Sequence, residues 1–221
     1  MLNRRREQGL TLIELMIGLL LGLIVTGIAI SMYVSTLGIT GQTVRTVMLN
    51  QELRLVLELV TADIRRAGHW DGSVGADNPH AEVVSGATKL LPISVFDNDG
   101  DGVDDCVILT YDYDKDGASD PEHIFGFRYN AVSGSVSSLE VTNVTSGAAP
   151  VTCGTYSGWL EMTDSRSTKI TEFSFDISPS PVASWAESSS KEIEVTIVGE
   201  SRSDDRLSRG LVESVRVRNE Y

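Results

Sequence analysis

Cysteine and histidine are scarce in this sequence, with two of the one and three of the other in 221 residues. A zinc site built on several thiolates is excluded. His69, His80 and His123 show no HxxxH or HExxH spacing, so a helical histidine site is excluded as well. Basic residues are also few, 18 Lys and Arg against 31 Asp and Glu, for a net charge of −13 and a pI of about 4.6. A polyanion such as nucleic acid is a poor match for that surface. Aromatic residues make up only 6%. The 41% of apolar residues still suffice for one medium domain plus an accessory element. No nucleophile motif, oxyanion glycine motif or phosphate loop accompanies the acidic residues, so the sequence points away from catalysis.

What is present is concentrated at the front. Arg4, Arg5 and Arg6 precede Gly9-Leu10-Thr11-Leu12-Ile13-Glu14, and Leu15 to Leu37 then carry no charge. Such a run is long enough to cross a bilayer core of roughly 30 Å as a helix. The preceding arginines predict a cytoplasmic N-terminus, with the C-terminal bulk outside. A secretory signal peptide fits poorly, because the run continues past the small residues Gly27-Ile28-Ala29. A plain signal anchor leaves Glu14 unexplained, since a charge inside an apolar segment costs at least ~2.5–3.5 kcal/mol without a partner. Gly18 and Gly22 form a GxxxG pattern. It is compatible either with close helix packing or with no special role.

Gly9-Leu10-Thr11-Leu12-Ile13-Glu14-Leu15 resembles the processing motif of type IV prepilins and pseudopilins. The resemblance implies cleavage between Gly9 and Leu10 by a prepilin peptidase and N-methylation of Leu10, with residues 1–9 as the leader. Leu10 stands where the family more often has phenylalanine. Glu14 becomes the fifth residue of the mature chain, where the family pairs its glutamate with the N-terminal amine of a neighbouring subunit. Losing one partner of such a buried pair costs roughly 3–5 kcal/mol, enough to enforce axial register. The other reading of Glu14 is a side chain snorkelling to the headgroups.

Past Leu37 the pattern turns polar without losing helical period. Leu53, Val56, Leu57, Val60, Ile64 and Ala67 form one apolar stripe, Arg65 and Arg66 suit a helix C-terminus, and Gly68 suits its cap. The expectation is one helix over 10–68, hydrophobic over 10–37 and amphipathic over 38–68, followed by a head at 69–221. The segment Leu57 to Trp70, with Asp63-Ile64-Arg65-Arg66-Ala67-Gly68, is similar to the helix end of PilW-type minor pilins and of the J-type minor pseudopilins of type II secretion. His69 and Trp70 read as local packing residues. The fold class is α+β. The resemblance implies a pilin-like lollipop, a long N-terminal transmembrane helix packed on an antiparallel β-sheet head.

Candidate strands in the head are 107–111, 124–129, 138–144, 170–177, 192–198 and 212–217, several alternating cleanly, as in Phe173, Phe175 and Ile177. Two DxDxDGxxD segments stand out, 97–105 and 112–120. Carboxylates at positions 1, 3 and 5, a glycine at 6 and a carbonyl at 7 are how calcium loops wrap a hard cation. The candidate ligands are Asp97, Asp99, Asp101, Val103 and Asp105, then Asp112, Asp114, Asp116, Ala118 and Asp120. Position 12 is Ile108 or His123 rather than glutamate, so a complete EF-hand is excluded. A solvated acidic turn is the competing reading. Cys106 and Cys153 can pair in an extracytoplasmic head, closing a loop of about 47 residues and stabilising it by ~4 kcal/mol on a chain-entropy account. Two reduced thiols are the alternative.

Together these features predict a non-enzymatic minor pilin, itself a substrate of the peptidase, with calcium as a possible ligand. Its expected partners are major and minor pilin subunits, the prepilin peptidase, the inner-membrane assembly platform and the membrane, without direct nucleic-acid binding. It would sit in the inner membrane with its head in the periplasm, then in the pilus at the cell surface, serving priming or the tip in adhesion, twitching motility or DNA uptake. The rival expectations are a J-like pseudopilin of type II secretion and a calcium-dependent adhesive tip module.

Overall fold

The computed structural model describes residues 9, 11–72, 93–115, 123–142, 152–154, 157–178 and 192–217. The chain divides into two compact units, Met1–Val47 and Met48–Tyr221. A single 55-residue helix, α1 (Leu12–Arg66), begins in the first and ends in the second.

Within the first unit every described side chain is exposed. The helix is long and apolar enough to cross a membrane. Five of its threonines bond within the helix. The hydroxyls of Thr26, Thr36, Thr40, Thr43 and Thr46 each donate to the carbonyl four residues back, at 2.8–3.0 Å. For Thr26 and Thr36, within the apolar run, no water is available in hydrocarbon to replace such bonds.

The second unit holds the last turns of α1 and two antiparallel sheets. The first has the order β1 (Ile93–Phe96), β2 (Cys106–Thr110), β3 (His123–Asn130), β4 (Ser135–Thr142), β5 (Leu160–Glu161); the second has β6 (Thr168–Ser178), β7 (Glu192–Ser201), β8 (Asp204–Arg216). All six residues of the apolar stripe are buried, and Leu49 extends it by one turn. They form one core with Phe173, Phe175 and Ile177 of β6, Ile193, Val195 and Ile197 of β7, and Val107 and Leu109 of β2. Gly199 permits the close approach. A Cβ there would lie 3.0 Å from Leu53 Cδ2 and 3.3 Å from Ile170 Cδ1.

The first sheet is covered on both faces. Cys106, Ile108, Ile124 and Cys153 make a smaller cluster with Phe96, Val141 and Trp159. All five residues of β2 are therefore buried, which is why it reads as a continuous apolar run rather than an alternation. Trp159 lies over Gly126 and carries the Arg128 guanidinium 4.4 Å from its ring centroid. The sheets are tied by backbone bonds from Ile170 N–H to Gly134 O and from Phe175 N–H to Asp104 O, both 2.8 Å.

The strand candidates fall on β2, β3, β4, β6, β7 and the end of β8, although Asn143 and Val144 lie outside the described residues. β1 and β5 were not legible, being four and two residues long. β8 begins at Asp204 rather than 212, because its first half is mostly exposed and charged and shows no alternation. The helix ends at Arg66, with Ala67 and Gly68 in a turn. Gly68 has φ 76°, and its N–H donates to Thr110 O at 2.7 Å, fixing the helix end to β2.

Candidate functional site

The N-terminal feature is built on a helix start. Gly9 is exposed; Leu10, the residue expected to be methylated, lies outside the described residues. Thr11 precedes the first helical residue, and its Oγ1 accepts the Glu14 N–H at 3.3 Å. The Thr11 hydroxyl also donates to Glu14 Oε2 at 3.4 Å. Thr-x-x-Glu is the capping-box spacing, a signal present in the sequence that gives Glu14 a local role beside its expected intermolecular one. Glu14 is the only charge between Thr11 and Val44.

The first acidic segment is the connection of the β1–β2 hairpin. Its neck is closed by Asp105 N–H to Phe96 O at 3.1 Å and Tyr129 N–H to Asp105 O at 3.0 Å. Asp97 organises the turn, accepting N–H bonds from Gly100 at 2.6 Å and Gly102 at 2.9 Å. These donors hold its carboxyl below the usual range, the Gly102 bond foremost. Both glycines have positive φ, 87° and 89°. Asp99 accepts from Asp101 N–H, and Asp101 from Val103 N–H. One carboxylate oxygen from each of Asp97, Asp99 and Asp101 lies within 4.8 Å of the others. This all-oxygen set fits a hard divalent cation. Asp105 is placed differently. It is buried in the neck and accepts the Asn98 N–H at 2.8 Å. Burial pushes its carboxyl up to about 6.

The second segment follows β2 at its other end, so the two loops are separated by five strand residues, about 17 Å. Their described residues are not brought together. Asp112 is buried and accepts N–H bonds from Lys115 at 2.8 Å and from Asp71 at 3.1 Å. Asp114 Oδ2 lies 4.0 Å from His123 Nε2. Asp116, Ala118 and Asp120 lie outside the described residues.

Cys106 and Cys153 form a disulfide with Cα atoms 6.5 Å apart. Cys106 opens β2 immediately after the neck of the first loop, so the bridge braces that loop from within the smaller core.

Two polar clusters were not foreseen from sequence. At the end of α1 the Tyr111 hydroxyl donates to Asp63 Oδ1 at 3.2 Å, and Arg66 pairs with the same oxygen at 3.1 Å. Desolvation nevertheless outweighs these partners and raises the Asp63 carboxyl. A cleft of about 630 Å³ opens beside it, lined by Arg66, His69, Tyr111, Asp112, Tyr113 and Lys115. His69 is exposed there, and its carbonyl accepts the Asp112 N–H at 2.9 Å. The second cluster is a clamp from Glu52, whose two oxygens accept Asp164 N–H and the Thr168 hydroxyl. Its spacing of more than a hundred residues leaves no local signature.

This combination defines a type IV pilin-like protein: an apolar helix with a processing-type start, continuing into an α+β head. The profile of the prokaryotic N-terminal methylation motif matches residues 4–30. The family described as prepilin peptidase-dependent protein B matches residues 42–217, and the chain belongs to that family. It is a membrane-anchored, minor-pilin-like protein of the type IV pilus and pseudopilus group, a substrate of prepilin peptidase rather than an enzyme. Comparison with curated proteins and with solved structures gave no match.

Proposed function

We propose that this chain is a PilW-like minor pilin that joins other subunits in the complex that primes or tips a type IV pilus. Glu14 carries the reading. It is the lone charge at the start of an otherwise uncharged apolar run, and a carboxylate kept there needs a cation. Cleavage after Gly9 supplies one, the α-ammonium of Leu10 on a neighbouring subunit. In this reading the N-terminus faces the cytoplasm and the head the periplasm, consistent with Arg4, Arg5 and Arg6. The chain then meets the peptidase, the assembly platform and the other pilins in turn. Deleting the gene in its host tests this. Sheared surface pili should be lost while exoprotein secretion continues. Intact pili with blocked secretion would move the protein to a type II secretion pseudopilus.

A second reading is favoured by the convergence of Asp97, Asp99 and Asp101, a calcium-dependent adhesive tip module. Chelation separates the two. A bracing cation would alter head stability, whereas a ligand-binding cation would alter adhesion at unchanged stability.

A further inference from the structure

The two sheets have four edges, and the described residues close or shorten three of them. β1 and β5 are four and two residues long. β6 is covered on its outer side, where Ile170 and Phe175 donate to Gly134 and Asp104 of the other sheet's turns. β8 is different. It runs for 13 residues, pairs with β7 on one side, and has no strand on the other among the described residues. It contains no proline or lysine and has one register shift, confined to its hairpin end. Edges of that length are usually blunted, because their free N–H and C=O groups template a further strand.

We infer that the outer edge of β8 receives an acidic extended strand from a different pilin-like subunit, adding a fourth strand to the second sheet. This rests on the assembly role proposed above and names its contact surface. Charge selects the partner. The strand carries Asp204, Asp205 and Arg206 at its hairpin end, where the register with β7 shifts, and then Arg209, Glu213 and Arg216. Glu213 is taken by Arg65 of α1 at 2.9 Å. The three arginines are exposed and without an ion pair among the described residues. Beyond the two aspartates at its hairpin end, the open edge of this chain of net charge −13 thus presents only arginines as charges without an ion pair among the described residues. Val212, 59% exposed, supplies an apolar centre between Arg209 and Arg216.

A second copy of this chain fits badly in either direction. Parallel self-pairing in register sets each arginine beside its own copy. Antiparallel self-pairing relates the copies by a two-fold axis perpendicular to the sheet. β8 advances in the same sense as the end of α1. Arg209 pairs with Gly199, which lies against Leu49 and Leu53, and four residues later Glu213 reaches Arg65. Such an axis would therefore set the ends of α1 in the two heads running in opposite senses.

The test places a photo-reactive phenylalanine at position 208 or 212 of the full chain in its host, with Val132, 99% exposed in the β3–β4 turn, as the control position. Cross-linked peptides are identified by mass spectrometry. The expected product from 208 and 212, and not from 132, joins β8 to an Asp- and Glu-bearing segment of another chain with the methylation motif. The triple variant R206E/R209E/R216E should lower its yield at least tenfold with an unchanged melting curve, and R206K/R209K/R216K should retain it. Absence of that product, a product with a second copy, or a yield indifferent to the Glu substitutions overturns the inference. The deletion phenotype is read separately. Lost pili with a silent β8 overturns the edge alone, whereas cross-linking at β8 in a host whose deletion leaves pili and secretion intact overturns the assembly role alone.

Discussion

Asp112 accepts the backbone N–H of Lys115 at 2.8 Å, and Asp97 accepts that of Gly100 at 2.6 Å. The same bond thus joins positions 1 and 4 of both acidic segments. Position 4 has positive φ in both, 87° at Gly100 and 60° at Lys115. One scaffold is used twice, once with the residue that suits it and once without.

Lys115→Gly should therefore raise stability by up to ~1 kcal/mol, relief of left-handed strain exceeding the added unfolded-state freedom. Gly100→Val should lower it by ~1–2 kcal/mol. Urea unfolding of the detergent-solubilised chain measures both, and a destabilising Lys115→Gly would show that the lysine side chain matters more than its backbone.

Removing the disulfide should cost ~2–5 kcal/mol. Both cysteines are almost fully buried, so the native protein should resist mild reductant until it opens. Melting with and without reductant, beside the double variant Cys106→Ala/Cys153→Ala, gives the comparison. Equal melting temperatures would mean that the smaller core holds the first loop unaided.

Leu53 is fully buried and Leu23 is exposed on the same helix. Leu53→Ala should destabilise the head by ~2–5 kcal/mol and Gly199→Val by ~1–3 kcal/mol. Leu23→Ala should leave its unfolding midpoint unchanged. Near-UV circular dichroism during unfolding reads the head directly.

Burial raises the Asp63 carboxyl above its ordinary 3.8. The folded state then holds this proton more tightly than the unfolded state. Its contribution to stability is full below pH 3.8 and is lost as pH rises through the raised value. Asp63→Asn keeps an acceptor for the Tyr111 hydroxyl and removes the titration. The stability difference between wild type and variant should shift in favour of the variant across that window, and a constant difference would refute the assignment.

How much of this was legible follows from which interactions are local. The stripe from Leu53 to Ala67 shows in sequence because helical period and burial share one face, and Phe173, Phe175 and Ile177 show because a half-buried strand alternates. Gly68 was readable as a cap because a left-handed helix end favours glycine. The acidic segments announced their turns, since Asp97 and its glycines act within a few residues. What stayed hidden is long-range or short. The Glu52 clamp on Asp164 and Thr168 and the bond from Tyr111 to Asp63 depend on the tertiary fold. β5 has too few residues for a period, and the first half of β8 lacks the burial that would impose one.

Glu14 has two roles to separate, and Thr11 allows it. As a cap, the pair is worth about 1 kcal/mol at the helix start, and Thr11→Val forfeits the hydroxyl while leaving the carboxylate in place. As the partner of a neighbour's terminal amine, Glu14 must keep its charge. Glu14→Gln keeps the planar outline of the carboxylate and much of the local hydrogen bonding and loses only that charge. If the intermolecular pair governs assembly, Glu14→Gln should reduce incorporation into sheared filaments at least tenfold while Thr11→Val stays within about twofold of wild type, since each 1.4 kcal/mol is a factor of ten. Processing is checked in the same samples by the mass of the mature N-terminus, so a cleavage defect cannot pass for an assembly defect. Equal, small losses from both variants would reduce Glu14 to a helix cap and remove the observation on which the assembly reading stands.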